Sequence, residues 1–328
     1  MSRGSGPRDG ARDERPAPQI PPGGGLLLVD KPSGCTSHDV VGRLRRVLGT
    51  RRIGHAGTLD PLATGLLVLA VDRSTKLLGH LALTDKSYAA TIRLGQRTGS
   101  DDADGAVTET ADPAAVAELS EADLRGAMAG LSGPILQVPS SVSAIKVAGR
   151  RAYDLVRAGE TVDLAARPVT VDRFVPVGTV RRGAGIIDVD VQVDCTTGTY
   201  VRALARDLGA VLGVGGHLTV LRRTRVGPFL VGDAVALYRD DAPAGPVTEA
   251  LAAAVAARVV PAAAAVRAAF ACRLVDGDEV AALRHGRGIA PGGLAGTYGG
   301  FDDAGRFVAL LVDRDGAARP VLGWLAAG

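Results

Sequence analysis

The feature that most constrains the fold is a strict alternation of apolar and polar side chains late in the chain. The apolar members are Ile187, Val189, Val191 and Val193, and the polar members are Asp188, Asp190, Gln192 and Asp194. Successive side chains of a β-strand point to opposite faces, so a period of two predicts a strand with one buried face. Such half-buried strands are typical of antiparallel sheets.

Two other segments have helical spacing instead. In residues 40–48 the apolar positions are Val40, Val41, Leu44, Val47 and Leu48. Residues 200–212 repeat the pattern, and Arg202 and Arg206 are one turn apart. Strand and helix patterns are therefore mixed without a regular βαβ alternation. This predicts an α+β fold with a mixed, mainly antiparallel sheet.

Composition along the chain suggests three parts. Residues 1–25 combine Arg, Asp, Pro and Gly without an apolar core, which predicts a flexible tail rather than a signal peptide. Within an Ala/Pro-rich stretch at 242–269 we place a domain boundary near residue 257. It divides a larger domain, 26–256, from a small β-rich module, 257–328. The apolar runs at 65–71 and 250–257 fall far short of the roughly 18 residues of a membrane helix, so no membrane association is expected.

Charge is segregated along the sequence, although the net charge is only +3. Residues 42–55 contain five arginines and no acid, and residues 101–124 contain eight acids and no base. We expect Arg43, Arg45 and Arg46 to lie on the polar face of the first helix. From the residues alone, this face is equally well interpreted as solvated or as a phosphate-binding surface. With only 5 Phe, 5 Tyr and 1 Trp, the chain is unsuited to binding single strands by stacking many bases.

The three cysteines, Cys35, Cys195 and Cys272, are far apart and form no Cys-x-x-Cys pair. This spacing predicts neither a zinc site nor a disulfide framework, and it suits a reducing cytoplasm. No glycine-rich phosphate loop occurs either. We therefore expect no metal and no cofactor.

Residues 54–67 are the most unusual segment: Gly-His-Ala-Gly-Thr-Leu-Asp-Pro-Leu-Ala-Thr-Gly-Leu-Leu. Pro61 restricts its own backbone and disfavours the helical region for Asp60, so the carboxylate is held on a rigid loop. Such a loop can carry a nucleophile or base. An ordinary Asp-Pro turn between two elements explains the same residues.

Residues 54–65 resemble the signature of the TruB family of pseudouridine synthases, which isomerise the T-loop uridine of tRNA (uridine-55). Four further segments resemble family motifs in the same order. They are the lysine-proline motif at 30–37, the tyrosine motif Lys-Ser-Tyr at 86–88, the arginine motif Gly-Thr-Tyr-Val-Arg at 198–202 and the leucine-arginine segment at 217–227. The resemblance extends from about residue 26 to residue 237.

The resemblance implies three catalytic residues. Asp60 is the nucleophile, attacking either the uracil or its ribose, and Arg202 pairs with it, which keeps the carboxylate ionised in a site that excludes water. Tyr88 stacks on the flipped base and acts as the general base that removes the C5 proton. Isomerisation needs no redox cofactor, metal or ATP.

The resemblance also implies RNA-binding residues. Lys31 and Pro32 shape the pocket, and Leu221 forms an apolar wall. His55 enters the T-loop and fills the space of the extruded nucleotide. The arginines at 43, 45 and 46 precede this loop and are expected to contact the flanking phosphates.

One segment departs from the family pattern. The usual Thr-Asp-Thr is replaced by Thr98-Gly99-Ser100, whereas the Asp-Ala-Asp-Gly at 102–105 is retained. The sequence therefore leaves open whether Asp102 or Asp104 pairs with an arginine near the pocket. The C-terminal module resembles the family's PUA-type RNA-binding module only loosely.

The expected partner is thus tRNA, with no protein partner implied, and we expect a cytoplasmic monomer. Two alternatives remain. A tRNA-folding chaperone with minor activity would not need Asp60, Tyr88 and Arg202 together. A guide-RNA-dependent synthase of the dyskerin type shares the catalytic motifs, but this chain has no long basic extensions.

Overall fold

The structure is a computed structural model and describes residues 18–141, 146–147, 150–151, 164–238 and 245–325. Its strands are β1 (Gly25–Lys31), β2 (Ile53–Ala56), β3 (Thr64–Val71), β4 (Lys86–Leu94), β5 (Gln96–Thr98), β6 (Val107–Thr110), β7 (Gly133–Gln137), β8 (Lys146–Val147), β9 (Arg150–Arg151), β10 (Arg167–Pro176), β11 (Arg181–Gly183), β12 (Ile186–Cys195), β13 (Gly216–Val226), β14 (Phe229–Leu230), β15 (Val235–Ala236), β16 (Val260–Pro261), β17 (Ala271–Leu274), β18 (Thr297–Phe301), β19 (Phe307–Arg314) and β20 (Ala317–Gly323).

The α-helices in the described part are α1 (Ser37–Leu48), α2 (Leu78–Leu81), α3 (Pro113–Glu118), α4 (Glu121–Gly130), α5 (Val201–Val211), α6 (Glu249–Ala256), α7 (Ala262–Ala269) and α8 (Gly277–Arg284). Within the described ranges, no helix is long and apolar enough to cross a lipid bilayer.

One large sheet organises the molecule, in the order β15-β1-β3-β13-β4-β12-β10-β7. Strand β13 pairs in parallel with β3, and β15 in parallel with β1, whereas the other pairs of this sheet are antiparallel. A second sheet, β17-β18-β19-β20, lies in the C-terminal part. These sheets and helices confirm the predicted α+β class with a mainly antiparallel sheet.

The alternation at 187–194 behaves as predicted. In β12 every second residue is buried, and the four apolar side chains are in the main core. Strand β12 pairs with β4 over nine residues, with Val193 opposite Tyr88. The polar face is only partly exposed because it carries ion pairs, such as that of Asp188 with Arg93.

Strands β1 and β3 are buried on both faces. In β3, Leu67 and Leu69 pack in the main core with α1, while Leu66 and Val68 pack in a second core with α7 and the small sheet. Since helices and the second sheet cover both faces, the sequence of β3 is a continuous apolar run. This double burial fixes the two ends of β3 and therefore the loop that precedes it.

The sequence predicted a flexible tail over residues 1–25. Residues 1–17 lie outside the described residues. Among residues 18–25, Ile20 packs against the main core. Gly25, the last residue of the predicted tail, begins β1, and the flexibility of the rest of the tail stays a prediction.

The two predicted units share a core. Ala265 and Val266 of α7 pack with Leu26 and Leu28 of β1, and Val260 pairs with Leu26. The boundary at residues 256–257 remains a prediction, and β17, the first strand of the small sheet, begins at Ala271.

Candidate active site

A pocket of about 260 Å³ lies where the loop after β2 meets β4, β13 and the N-terminus of α5. Its lining residues are Gly57, Thr58, Leu59, Asp60, Lys86, Tyr88, Thr197, Gly198, Thr199, Tyr200, Val201, Arg202, Leu221 and Arg223. Segments that are far apart in sequence thus meet here. The predicted residues Asp60, Tyr88, Arg202 and Leu221 are brought together in this pocket.

The loop that carries Asp60 is fixed by buried hydrogen bonds. Ser37 at the start of α1 accepts from the Leu59 amide at 2.9 Å and donates to the Leu59 carbonyl at 3.1 Å. Lys31 is fully buried, and its ammonium donates to the carbonyls of Pro32, Cys35 and Pro61 at 2.9, 2.7 and 3.2 Å. The residues on both sides of Asp60 are therefore immobilised, which holds the carboxylate in one position.

Lys31 and Pro32 do not themselves line the pocket. Lys31 instead donates a hydrogen bond to the carbonyl of Pro61, the residue that follows Asp60. Burial lowers the pKa of Lys31, and the nearby Cys35 and Asp60 oppose this shift. That these two residues shape the pocket stays a prediction, which the contact of Lys31 with the Pro61 carbonyl supports for Lys31.

Asp60 and Arg202 form a close ion pair. Arg202 Nη2 donates a hydrogen bond to Asp60 Oδ1 at 3.1 Å, and Arg202 Nε lies 3.0 Å from Oδ2. The Nε–Oδ2 contact is an ion pair without a hydrogen bond. The Arg202 side chain is only 5% exposed, whereas 37% of the Asp60 side chain faces the pocket. One carboxylate is thus presented to the cavity by a buried arginine.

The surroundings of Asp60 act on its pKa in opposite directions. Loss of hydration raises the pKa of Asp60 above its usual value, and the charge of Asp102 adds to this rise. The charge and hydrogen bond of Arg202, and the charge of Lys31, lower it. Without Arg202, a carboxylate in this position would protonate more readily.

Sequence reasoning did not predict the contact of Asp102 with the pocket arginine. Arg202 Nη1 lies 3.4 Å from Asp102 Oδ2 and donates to the Ser100 carbonyl at 3.0 Å. Asp102 is buried, and its Oδ1 accepts from the Ser100 hydroxyl and from the Asp104 amide. The retained Asp-Ala-Asp-Gly at 102–105 could have indicated this contact. The altered residues at 98–100, however, left the family contacts of the segment open.

Tyr88 forms one wall of the pocket together with Arg223, a residue that the sequence did not single out. The two residues are direct partners in the β4–β13 ladder, and the charge of Arg223 acts on the Tyr88 phenol. Arg223 is 1% exposed and donates to the carbonyls of Leu66 and Gly57 at 2.8 and 3.1 Å. Burial raises the pKa of the Tyr88 phenol, and Arg223 opposes that shift.

His55 lies on β2, outside the pocket lining, two residues before the loop. Its ring meets that of His38 edge to face, with centroids 5.7 Å apart. Its Nδ1 is buried and has no hydrogen-bond partner among the described residues. Loss of hydration lowers the pKa of His55, and the charges of His38 and Arg223 add to this shift.

The predicted arginine face is only partly exposed. Arg45 and Arg46 are exposed, whereas Arg43 is buried, donates to the Gly245 carbonyl at 3.0 Å and lies over the Tyr238 ring at 5.3 Å. The expectation that Arg43 lies on an open face is wrong, because α1 packs against the segment before α6. Arg45 and Arg46 remain available at the surface.

Metal ligands are not grouped in the described ranges: no three His, Cys, Asp or Glu side chains lie together so as to hold a metal ion. The residues that meet in the pocket instead include a carboxylate, two phenols, two guanidinium groups and an ammonium. Such a set can perform nucleophilic attack, proton transfer and stabilisation of negative charge.

Three family models match the chain. Residues 45–201 match "TruB family pseudouridylate synthase (N terminal domain)", residues 202–241 match "tRNA pseudouridylate synthase B C-terminal domain", and residues 270–324 match "tRNA Pseudouridine synthase II, C terminal". Together these matches include four of the five motif segments in full.

Sequence relatives cover nearly the whole chain. A protein of Nocardia farcinica named tRNA pseudouridine synthase B is 54% identical over 310 residues, which is 94% of this chain and 96% of the relative. Proteins of the same name from Mycobacteroides abscessus and Thermobifida fusca are 53% and 51% identical, over 88% and 91% of this chain and 92% and 97% of the relatives. Identity at this level extends well beyond the motifs.

Solved structures share the fold. A chain of a Cbf5-Nop10-Gar1 complex aligns with a TM-score of 0.66 and 23% identity, covering 97% of this chain and 93% of that chain. A chain of an H/ACA RNP bound to a substrate RNA aligns with a TM-score of 0.64 and 21% identity, covering 98% and 94%. At this identity the likeness concerns the fold alone.

Proposed function

The chain belongs to the TruB family of pseudouridine synthases, and from this membership we propose that it converts the T-loop uridine of tRNA to pseudouridine. The reaction is an isomerisation. The N1–C1′ glycosidic bond breaks, a C5–C1′ bond forms, the C5 proton leaves and N1 gains a proton. Every atom of the product comes from the substrate apart from exchanged protons, so no oxidant, reductant or energy donor is consumed.

The observation that carries the proposal is the position of Asp60. A single carboxylate faces the cavity of about 260 Å³ and is held by Arg202 on one side and by the loop after β2 on the other. As the nucleophile, Asp60 attacks either C1′ of the ribose or the uracil ring. Arg202 favours the ionised form that either attack requires.

Tyr88 is proposed to stack on the flipped base and to accept the C5 proton. Its place in the wall of the same pocket supports this role. Burial favours the neutral phenol, but the charge of Arg223 favours the phenolate that would accept a proton. Leu221 provides an apolar surface on the same wall.

The target base must leave its stack before it enters the pocket, at a cost of a few kcal/mol. His55 is proposed to occupy the vacated space and so to offset part of this cost. Its position on the strand that leads into the Asp60 loop supports this role, as does the unpartnered Nδ1. Arg45 and Arg46, exposed on α1, are proposed to contact neighbouring phosphates.

We also propose that the protein works as a monomer in the cytoplasm, where tRNA is modified. The guide-RNA-dependent alternative is not favoured, since the relatives of over 50% identity are named tRNA pseudouridine synthase B. Light scattering of the purified protein, alone and with tRNA, tests the oligomeric state.

The proposed function is tested with purified protein and unmodified tRNA, without guide RNA. We expect pseudouridine in the T-loop with the wild type and none with Asp60→Ala, while tRNA binding by the variant persists. Asp303→Ala, at an exposed turn of the small module, serves as a matched control with wild-type turnover. Turnover by Asp60→Ala at the wild-type rate would refute the proposed mechanism.

A further inference from the structure

Lys86 is a buried cation in the pocket wall for which the catalytic scheme above has no role. Its residue is 6% exposed, and it lies two positions before Tyr88 on β4, so both side chains point to the same face of the strand. The ammonium donates to the Ala82 carbonyl at 3.0 Å and to the Thr84 carbonyl. An ammonium has three N–H donors, and these carbonyls use two of them.

Arg223 lies beside Lys86 in the same wall. A Cβ placed on Gly57 would stand 3.5 Å from Arg223 Nη1 and 3.9 Å from Lys86 Cε, so both cationic side chains flank this glycine. Within the described part of the chain, neither forms an ion pair with a carboxylate. Asp60, the carboxylate of the pocket, is instead paired with Arg202. This wall of the cavity therefore has an excess of positive charge.

The proposed reaction creates negative charge on the base. When the glycosidic bond breaks, its electron pair passes to N1 and is shared with the uracil carbonyl oxygens, and the ring then uses an electron pair to form the C5–C1′ bond. If Asp60 adds to the uracil ring instead, the charge develops as an enolate on a carbonyl oxygen. Both routes need positive charge beside the base.

We propose that Lys86, together with Arg223, stabilises the negative charge on the uracil carbonyl oxygens during base detachment. This inference rests on the proposed function. The two cations are held by backbone carbonyls before substrate arrives, so they need little reorganisation when the charge appears, which is the condition for large electrostatic stabilisation.

The ionisation of Lys86 gives this role a pH signature. Burial lowers the pKa of Lys86 to about 8, and Arg223 adds to the shift, whereas Cys195 and Asp85 oppose it. Cys195 stays a neutral thiol, because burial raises its pKa to about 11. Lys86 loses its proton as the pH rises through about 8, so a rate that needs its charge falls on the alkaline side.

The experiment compares Lys86→Met, which removes the charge and keeps a similar stem, with Lys86→Arg, which keeps a charge that does not titrate below pH 12. Arg93→Met is the matched control, because Arg93 is on the same strand but on the opposite face, paired with Asp188. Single-turnover release of tritium from uridine C5 is measured from pH 6 to about 10, together with the Kd for tRNA and the thermal unfolding of each variant.

We expect Lys86→Met to lower the single-turnover rate about 10²-fold with unchanged Kd, and Arg93→Met to behave as wild type. The alkaline fall of the wild-type rate should disappear in Lys86→Arg. An alkaline fall at the wild-type pH in Lys86→Arg would overturn the role of Lys86, even if Lys86→Met did not fold. No turnover by the wild type would overturn the proposed function and this inference with it.

Discussion

Arg202 Nε lies 3.0 Å from Asp60 Oδ2, although 142 positions separate the two residues in the chain. The pair joins the N-terminal turn of α5 to the loop after β2 at the floor of one pocket. The carboxylate is partly exposed and the guanidinium is buried. We therefore expect removal of the Arg202 guanidinium to change the ionisation of Asp60 more than the access of substrate to Asp60.

We predict that Arg202→Gln shifts the acidic side of the pH profile to higher pH. Burial raises the pKa of Asp60 and Arg202 lowers it, so without Arg202 the pKa of Asp60 rises further. The nucleophile is active when ionised, and its activity is lost as pH falls through this pKa. Single-turnover rates between pH 5 and pH 9 measure the shift, and we expect a rate loss of about 10²-fold at neutral pH. If the rate of Arg202→Gln fell on the acidic side at the same pH as the wild-type rate, the role of the Asp60–Arg202 pair would be contradicted.

Asp102→Asn is predicted to shift the same profile in the opposite direction. The charge of Asp102 raises the pKa of Asp60, and its removal leaves Arg202 with one carboxylate to balance. The acidic side should move to lower pH. Breaking this buried pair should also lower the free energy of unfolding by about 3 kcal/mol, measured by urea denaturation. A shift to higher pH would show that Asp102 acts mainly by placing Arg202.

Replacement of Arg45 and Arg46 by Gln is predicted to weaken tRNA binding and its salt dependence. Each phosphate neutralised contributes about 0.7 to 0.9 to the slope of log K against log salt, so the slope should fall by about 1.5. Arg125→Gln, at an exposed position on α4, is the control. Filter binding over a range of salt concentrations measures the effect. An unchanged slope would mean that the two side chains are merely solvated.

His55→Ala is predicted to slow turnover of folded tRNA about tenfold or more, because the cost of unstacking, a few kcal/mol, is no longer offset. His55→Phe, which keeps an aromatic ring of similar size, should retain most of the rate. A short unstructured RNA with the same target sequence serves as the control substrate, on which His55→Ala should show little loss. Equal losses on both substrates would point to damage of the Asp60 loop.

Lys31→Met is predicted to lower the free energy of unfolding by about 2 kcal/mol, since hydrogen bonds to charged groups contribute about 1.5 to 3 kcal/mol. Three backbone carbonyls, among them that of Pro61, lose their donor. Activity should fall as well, although Lys31 does not line the pocket. Lys76→Met, at an exposed position, provides the comparison for stability. Urea denaturation with wild-type stability for Lys31→Met would contradict the support role.

Much of the fold could be predicted from local patterns. The alternation at 187–194 predicted β12, and the helical spacing at 40–48 predicted α1, because burial of one face imposes a period that the sequence records. The exposure of individual side chains on a face was less predictable. Arg43 occupies a polar position of α1, yet Tyr238 and Gly245 cover it, and no feature near residue 43 in the sequence indicates such distant partners.

The sequence by itself determined the chemistry available to this protein: Asp60 on a loop restricted by Pro61, Tyr88 on a strand, and Arg202 on a helix. The tertiary structure alone decided which charges meet. Arg202 contacts both Asp60 and Asp102, while Arg223 and Lys86 line the same pocket without a carboxylate partner in the described ranges. Motifs record residue types, but pKa values and charge stabilisation depend on distance and burial, which arise only when separate strands are packed together.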